Sequence, residues 1–149
     1  MQLHGYLNGT HLVDLHSLNL KSDEIIDLLE RFDMDVIYDF DRLHEGTPDR
    51  YSASSTDEGF ELRFNENQVL TTIWCYMRAR SRFSPIDPEA IGVYIPKSWS
   101  DAKQYALKMQ SRFSERPDAW LRIENDRLWV HYEFSDDALT LVTLMNPRK

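Results

Sequence analysis

Between Gly59 and Met77 the chain reads as a β-hairpin. Phe60, Leu62 and Phe64 alternate with Glu61 and Arg63, the period-two pattern of a strand with one buried face. Asn65-Glu66-Asn67-Gln68 is polar and turn-prone, because Asn tolerates positive φ and bonds its own backbone. Val69 to Tyr76 then concentrates β-branched and aromatic side chains, which suit a pleated surface.

The last third of the chain extends this pattern. Ala119 to Glu124, Leu128 to Phe134 and Ala138 to Met145 predict three strands, separated by the turns Glu124-Asn125-Asp126-Arg127 and Ser135-Asp136-Asp137. Leu128, Val130, Tyr132 and Phe134 fall on one face, Trp129, His131 and Glu133 on the other. Turns this short join antiparallel neighbours, so the three strands form a meander.

Two helices complete the pattern. Ser22 is a good N-cap, and Asp23 and Glu24 suit the positive end of the helix dipole. Ile25, Ile26, Leu28, Leu29 and Phe32 make an apolar stripe that ends near Phe32 or Asp33. A second helix starts at Ser98 or Ser100, with Ala102, Tyr105, Ala106, Met109 and Phe113 spaced three and four apart. Elsewhere the signals are weaker. Residues 1 to 20 predict a short strand or extended arm around the Asn8-Gly9 turn, and Asp35 to Asp41 a short strand or a further helical turn. Residues 44 to 58 predict a long loop. Pro85, Pro88 and Pro96 make 83 to 98 irregular, with Ile91 to Ile95 a short extended piece. At 149 residues the chain is expected to form a single α+β domain, residues 1–149, able to bury about two-thirds of its unfolded surface. About five antiparallel strands, the central hairpin plus the C-terminal meander, carry two helices packed on the hairpin's apolar face.

Charge is the sharpest functional signal. From Ser22 to Glu45 there are nine acids against Arg31 and Arg42, so this segment carries −7 of the chain's net −8. Mixed signs would give solubility with less self-repulsion, so the segment reads as an acidic binding surface. Asp27, Glu30, Asp33, Asp35, Asp39 and Asp41 are the candidate contacts to a basic partner. Trp129 joins them as a candidate anchor, because its strand neighbours on that face are polar and Trp is enriched at binding hot spots. The same net charge argues against direct nucleic-acid binding and against an anionic membrane surface.

Chemistry-bearing patterns are sparse. Asp33, Asp35, Asp39 and Asp41 lack the Gly and terminal Glu of a calcium loop, and apolar residues interleave them. His4, His11 and His16 have no zinc-ligand spacing, and the one cysteine, Cys75, lies in the most apolar strand as an inert buried thiol. There is no phosphate-cradling Gly loop and no Gly-x-Ser-x-Gly elbow. No cofactor or metal is therefore expected. His131 and Glu133, two apart on one strand, are the one pair arranged for acid–base work. No basic-then-apolar leader and no apolar run of about 20 residues occur, so a cytoplasmic location is expected.

Three stretches, "GFELRFNENQVLTTIWCYM", "VYIPKSWSDA" before an amphipathic helix, and "LWVHYEFSDDALTLVTLM", resemble the small immunity proteins of bacterial toxin systems. These inhibit pyocin-type, contact-dependent-inhibition and polymorphic toxins. The resemblance lies in element order over residues 22 to 145, with Ser114-Glu115-Arg116-Pro117 standing where a Gly-x-Pro is usual. It implies a non-enzymatic protein that neutralises a cognate toxin domain, a nuclease with a basic substrate surface in many such systems. Two other readings are an acidic secretion chaperone holding an extended effector segment, and a small enzyme using His131 and Glu133.

Overall fold

The computed structural model describes residues 3–40, 43 and 46–148. The hairpin forms from strands β3 (Phe60–Phe64) and β4 (Leu70–Tyr76). Asn65 closes its turn, its Oδ1 accepting the backbone N–H groups of Asn67 and Val69 at 2.9 and 3.0 Å. Gln68 takes the left-handed conformation at φ 65°. The strands β1 (Val36–Asp39) and β2 (Arg50–Ser55) precede the hairpin in an antiparallel run. A second run follows, β5 (Phe113–Arg116), β6 (Trp120–Glu124), β7 (Trp129–Ser135) and β8 (Ala138–Met145). The two runs meet where β4 pairs with β8, from Thr72 opposite Met145 to Tyr76 opposite Leu141. The result is one open eight-stranded antiparallel sheet of order β1-β2-β3-β4-β8-β7-β6-β5.

The helices are α1 (Leu3–Leu7), α2 (Asp23–Arg31) and α3 (Trp99–Lys108), with 3-10 turns at Leu12–Leu15 and Pro88–Ala90. Their buried residues, among them Leu3, Leu12, Ile25, Leu28, Ala102 and Ala106, form one cluster with Phe60, Leu62, Phe64, Ile73, Cys75, Leu121, Tyr132, Val142 and Leu144. Those nine residues share one face of the sheet by register. Each fully buried Leu, Ile or Phe contributes roughly 1.5–3 kcal/mol, which fixes which face the helices cover. Ser98 caps α3 by accepting the Asp101 N–H at 3.1 Å. Ser22 begins α2 without such a bond, its hydroxyl donating instead to the Asn19 carbonyl at 2.6 Å.

Several sequence expectations are corrected. The sheet has eight strands, not about five. β2 lies inside the expected long loop, because its inward residues Ala53 and Ser55 are too small to give a hydrophobic alternation. β5 takes Phe113, expected on the second helix; α3 stops at Lys108 and Gln110 turns the chain at φ 54°. The N-terminal arm is helical, not extended: Leu3 and Leu7 are four apart, Leu12 and Leu15 three apart, and all four are buried. Of the two options for residues 35 to 41, the strand forms, as β1. No described helix is long and apolar enough to cross a membrane.

Candidate functional site

The acidic candidates among the described residues are exposed on α2, on the turn after it and on β1, an outermost strand of the sheet. α2 turns Ile25 and Leu28 into the core, which leaves Asp23, Glu24, Asp27 and Glu30 exposed on its outer side. Asp27, Glu30, Arg31 and Tyr6 line a shallow cleft of about 270 Å³, with the Arg31 guanidinium 5.4 Å from the Tyr6 ring centroid. Burial, then the nearby Asp27 carboxylate, raises the Tyr6 hydroxyl above its ordinary pKa. Asp33 makes the left-handed exit from α2 at φ 50°, a conformation that Asp tolerates, and Asp35 is exposed just before β1. Asp39 accepts from Arg50 Nε at 3.0 Å across the β1–β2 pair. Asp41 lies outside the described residues.

Exposed apolar residues fall in the same stretch of chain. Ile26, Val36, Ile37, Tyr38, Phe40 and Leu43 are all exposed, Ile37 at 62% and Leu43 at 75%. Tyr38 stacks on Tyr51 and Phe40 at centroid distances of 5.0 and 5.6 Å. Its hydroxyl donates to Asp49 at 2.6 Å, which pushes its pKa up to about 12. β1 is also an outermost strand, so among the described residues one row of its backbone groups has no neighbouring strand. An acidic, apolar edge of this kind can receive a basic partner and exclude water from the contact.

Trp129 is not part of that edge. It lies on β7, five strand spacings from β1, or about 24 Å away. It belongs to the sheet face opposite the helices, a surface that reasoning from the sequence largely missed. The register lays residues of this face in rows across the strands. One row runs Ile37, Ser52, Arg63, Thr72, Met145, Trp129, Glu124; the next runs Ser54, Glu61, Trp74, Thr143, His131, Arg122, Ser114. A third contains Tyr76, Leu141, Glu133, Trp120 and Arg116. Arginines lie over the indoles, Arg63 4.7 Å from the Trp74 centroid and Arg122 4.6 Å from Trp129 and 5.3 Å from Trp120. Arg122 Nε also donates to Glu124 at 3.0 Å. The signal for this face was the phase of β3 and β4: Glu61, Arg63, Trp74 and Tyr76 all stand at the non-core positions.

His131 and Glu133 do share that face, with Nε2 3.8 Å from the carboxylate, and the Trp120 ring lies 5.2 Å from the imidazole. Burial, with the Arg122 and Arg148 charges, lowers the His131 pKa to about 4. The imidazole is therefore neutral and weakly basic near pH 7. Cys75 is fully buried and its thiol is pushed up by burial, which leaves no accessible thiolate. Among the described residues no three His, Cys, Asp or Glu side chains gather in a way that would hold a metal ion. Compared with protein-family models, curated proteins and solved structures, the chain matches none of them.

Proposed function

We propose that the protein is an immunity protein: it binds a cognate bacterial toxin domain through the α2–β1 edge and blocks that domain's active or substrate-binding surface. The observation that carries this reading is the composition of the edge. Asp23, Glu24, Asp27, Glu30, Asp33 and Asp35 are exposed there beside Ile26, Val36, Ile37 and Tyr38. Of the described candidate acids only Asp39 has an ion-pair partner. Carboxylates that outnumber the cations beside them repel one another, and a basic partner relieves that repulsion as it docks. A nuclease toxin has such a surface, since it must hold phosphates. The protein would then act by occlusion, with no chemistry of its own and no cofactor, where toxin and inhibitor meet in the cytoplasm.

The free edge of β1 favours a second reading, a secretion chaperone that holds an extended effector segment as an added strand. The two differ in what is bound. The test is co-purification with the C-terminal domain of a secreted protein encoded beside this one, followed by assay of that domain's toxicity. An immunity protein abolishes the activity of the folded domain; a chaperone binds a segment outside it. Replacing Asp27, Glu30 and Asp35 together by Lys should slow association at least tenfold and flatten its salt dependence. Protection undiminished by that triple change at physiological salt would overturn the assignment of this surface.

A further inference from the structure

The sheet face opposite the helices is covered at one end, where Phe83 stacks on Tyr76 at 4.2 Å, and the composition of the rest is that of a contact surface. It carries three of the four tryptophans, Trp74, Trp120 and Trp129, together with Tyr76, Leu141 and Met145. Leu141 and Thr143 are buried here, although they lie outside the core that the helices cover. The cations of this face, Arg63, Arg116 and Arg122, are all arginines, and Arg80 and Arg82 line its rim beside Trp74 and Tyr76. Arginine and aromatics enriched over lysine are the signature of a protein contact rather than of a solvated surface.

Charge says what kind of partner fits. Glu124 already accepts from Arg122 Nε, which leaves that guanidinium's terminal N–H groups for another acceptor. Arg63 has no ion pair among the described residues. Arg63 and Arg122 are separated by four strand spacings, about 20 Å. Between them lie uncharged groups: Thr72, Trp74, Thr143, Met145, Trp129 and the neutral His131. We propose that this face docks a protein segment with an apolar centre flanked by two carboxylates, received by Arg63 and Arg122 across Trp74 and Trp129. In an extended segment two carboxylates about 20 Å apart are six residues apart.

Single-stranded nucleic acid suits the face less well. Its charge repeats at every nucleotide and would meet Glu61, Glu124 and Glu133 in the same rows, and the indoles already hold guanidiniums where bases would stack. A second copy presents Glu61 and Glu124 at the same four-strand spacing, but both carboxylates are already held, Glu61 by the hydroxyls of Ser54 and Tyr76 and Glu124 by Ser114 and Arg122. The row of Arg63 continues through Ser52 to Ile37 on β1, so the face adjoins the acidic edge; the indole signal of Trp129, five strand spacings from β1, separates a contact on this face from one at that edge.

The test uses the full chain labelled with ¹⁵N and the peptide acetyl-Glu-Val-Leu-Thr-Leu-Val-Glu-amide, followed through the indole N–H signals. Those of Trp74 and Trp129 should shift saturably. That of Trp99, which donates to the Trp120 carbonyl from the helix side at 3.2 Å, should move least. Arg63→Gln and Arg122→Gln, each with an unchanged far-ultraviolet spectrum, should weaken binding about tenfold, the loss expected of one charge-assisted contact. A peptide with Lys at both ends should not bind. Unmoved signals at millimolar peptide, equal binding of the Lys-ended peptide, or tighter binding of oligouridine would each overturn the proposal.

Discussion

The guanidinium of Arg122 lies over the indole of Trp129, 4.6 Å from its centroid, while its Nε is bonded to Glu124. Arg122 is thus a strut between β6 and β7 and the stronger of the two cations acting on His131, its direct partner across those strands. Replacing it by Met keeps much of the stem but removes the charge. The His131 pKa should then rise from about 4 towards its ordinary 6.5, stopping short because burial is the larger cause. Folding stability should fall by about 1–2 kcal/mol through the lost stacking and the lost ion pair to Glu124, which keeps only its bond from Ser114. Imidazole signals followed through a pH titration, and a denaturant curve at pH 7.5, check the two effects. An unmoved His131 pKa would show that Arg122 does not act on it.

His131 also makes stability depend on pH. The unfolded chain takes up a proton at about pH 6.5, whereas the folded chain refuses it until about pH 4. In that window the unfolded state binds more protons, so stability falls as pH drops. The contribution is nil above the unfolded pKa and reaches on the order of 3 kcal/mol of destabilisation at pH 4 and below. His16, lowered by burial, acts in the same direction. The variant His131→Gln should lose less stability than the parent between pH 7 and pH 4.5, read as the change in urea midpoint. Parallel curves for the two proteins would remove His131 as the cause.

How much of this was legible in the sequence follows from where each signal comes from. The hairpin and the meander were readable because Phe60, Leu62 and Phe64, and Val130, Tyr132 and Phe134, are large and alternate cleanly. β2 was hidden because Ala53 and Ser55 fill its inward positions. The N-terminal helix was hidden because one turn offers only Leu3 and Leu7 to read. The acids of α2 stood out as a run and lie exposed together. Trp129 was readable as an anchor but not its neighbours, because the open face comes from strands far apart in sequence. Trp74 and Trp129 belong to adjacent rows only because β8 inserts between β4 and β7. Periodicity reports which side of a strand is buried; it does not report strand order.

Gly59 is the position where backbone and packing leave least freedom. It precedes β3 at φ +79°, and a Cβ there would fall on the carbonyl oxygen of Ser84 and lie 2.7 Å from the Ile86 nitrogen. Both are main-chain atoms, so no side-chain rotation relieves the contact. Gly59→Ala should therefore cost about 2 kcal/mol or more. Gly5, on α1 with nothing within 4 Å of a built Cβ, is the control. Gly5→Ala should be neutral or stabilise by up to about 1 kcal/mol. Chemical denaturation of the two single variants beside the parent gives the comparison, and equal midpoints would refute the close-approach argument.

Ile37 and Leu28 separate the surface from the core within one short stretch of chain. Ile37 stands opposite Ser52 on the edge strand and is 62% exposed, whereas Leu28 is fully buried under α2. Leu28→Ala should cost roughly 2–5 kcal/mol, since the transfer term and the cavity it leaves both count. Ile37→Thr retains β-branching and loses only exposed apolar area, so it should change stability by no more than about 0.5 kcal/mol. The two variants should reverse their order in binding. If the α2–β1 edge receives the toxin domain, Ile37→Thr should weaken that complex about tenfold while leaving the fold intact. Thermal melts measure the first quantity and titration of the purified domain the second. A well-folded Ile37→Thr protein with parental affinity would place the contact elsewhere on the molecule.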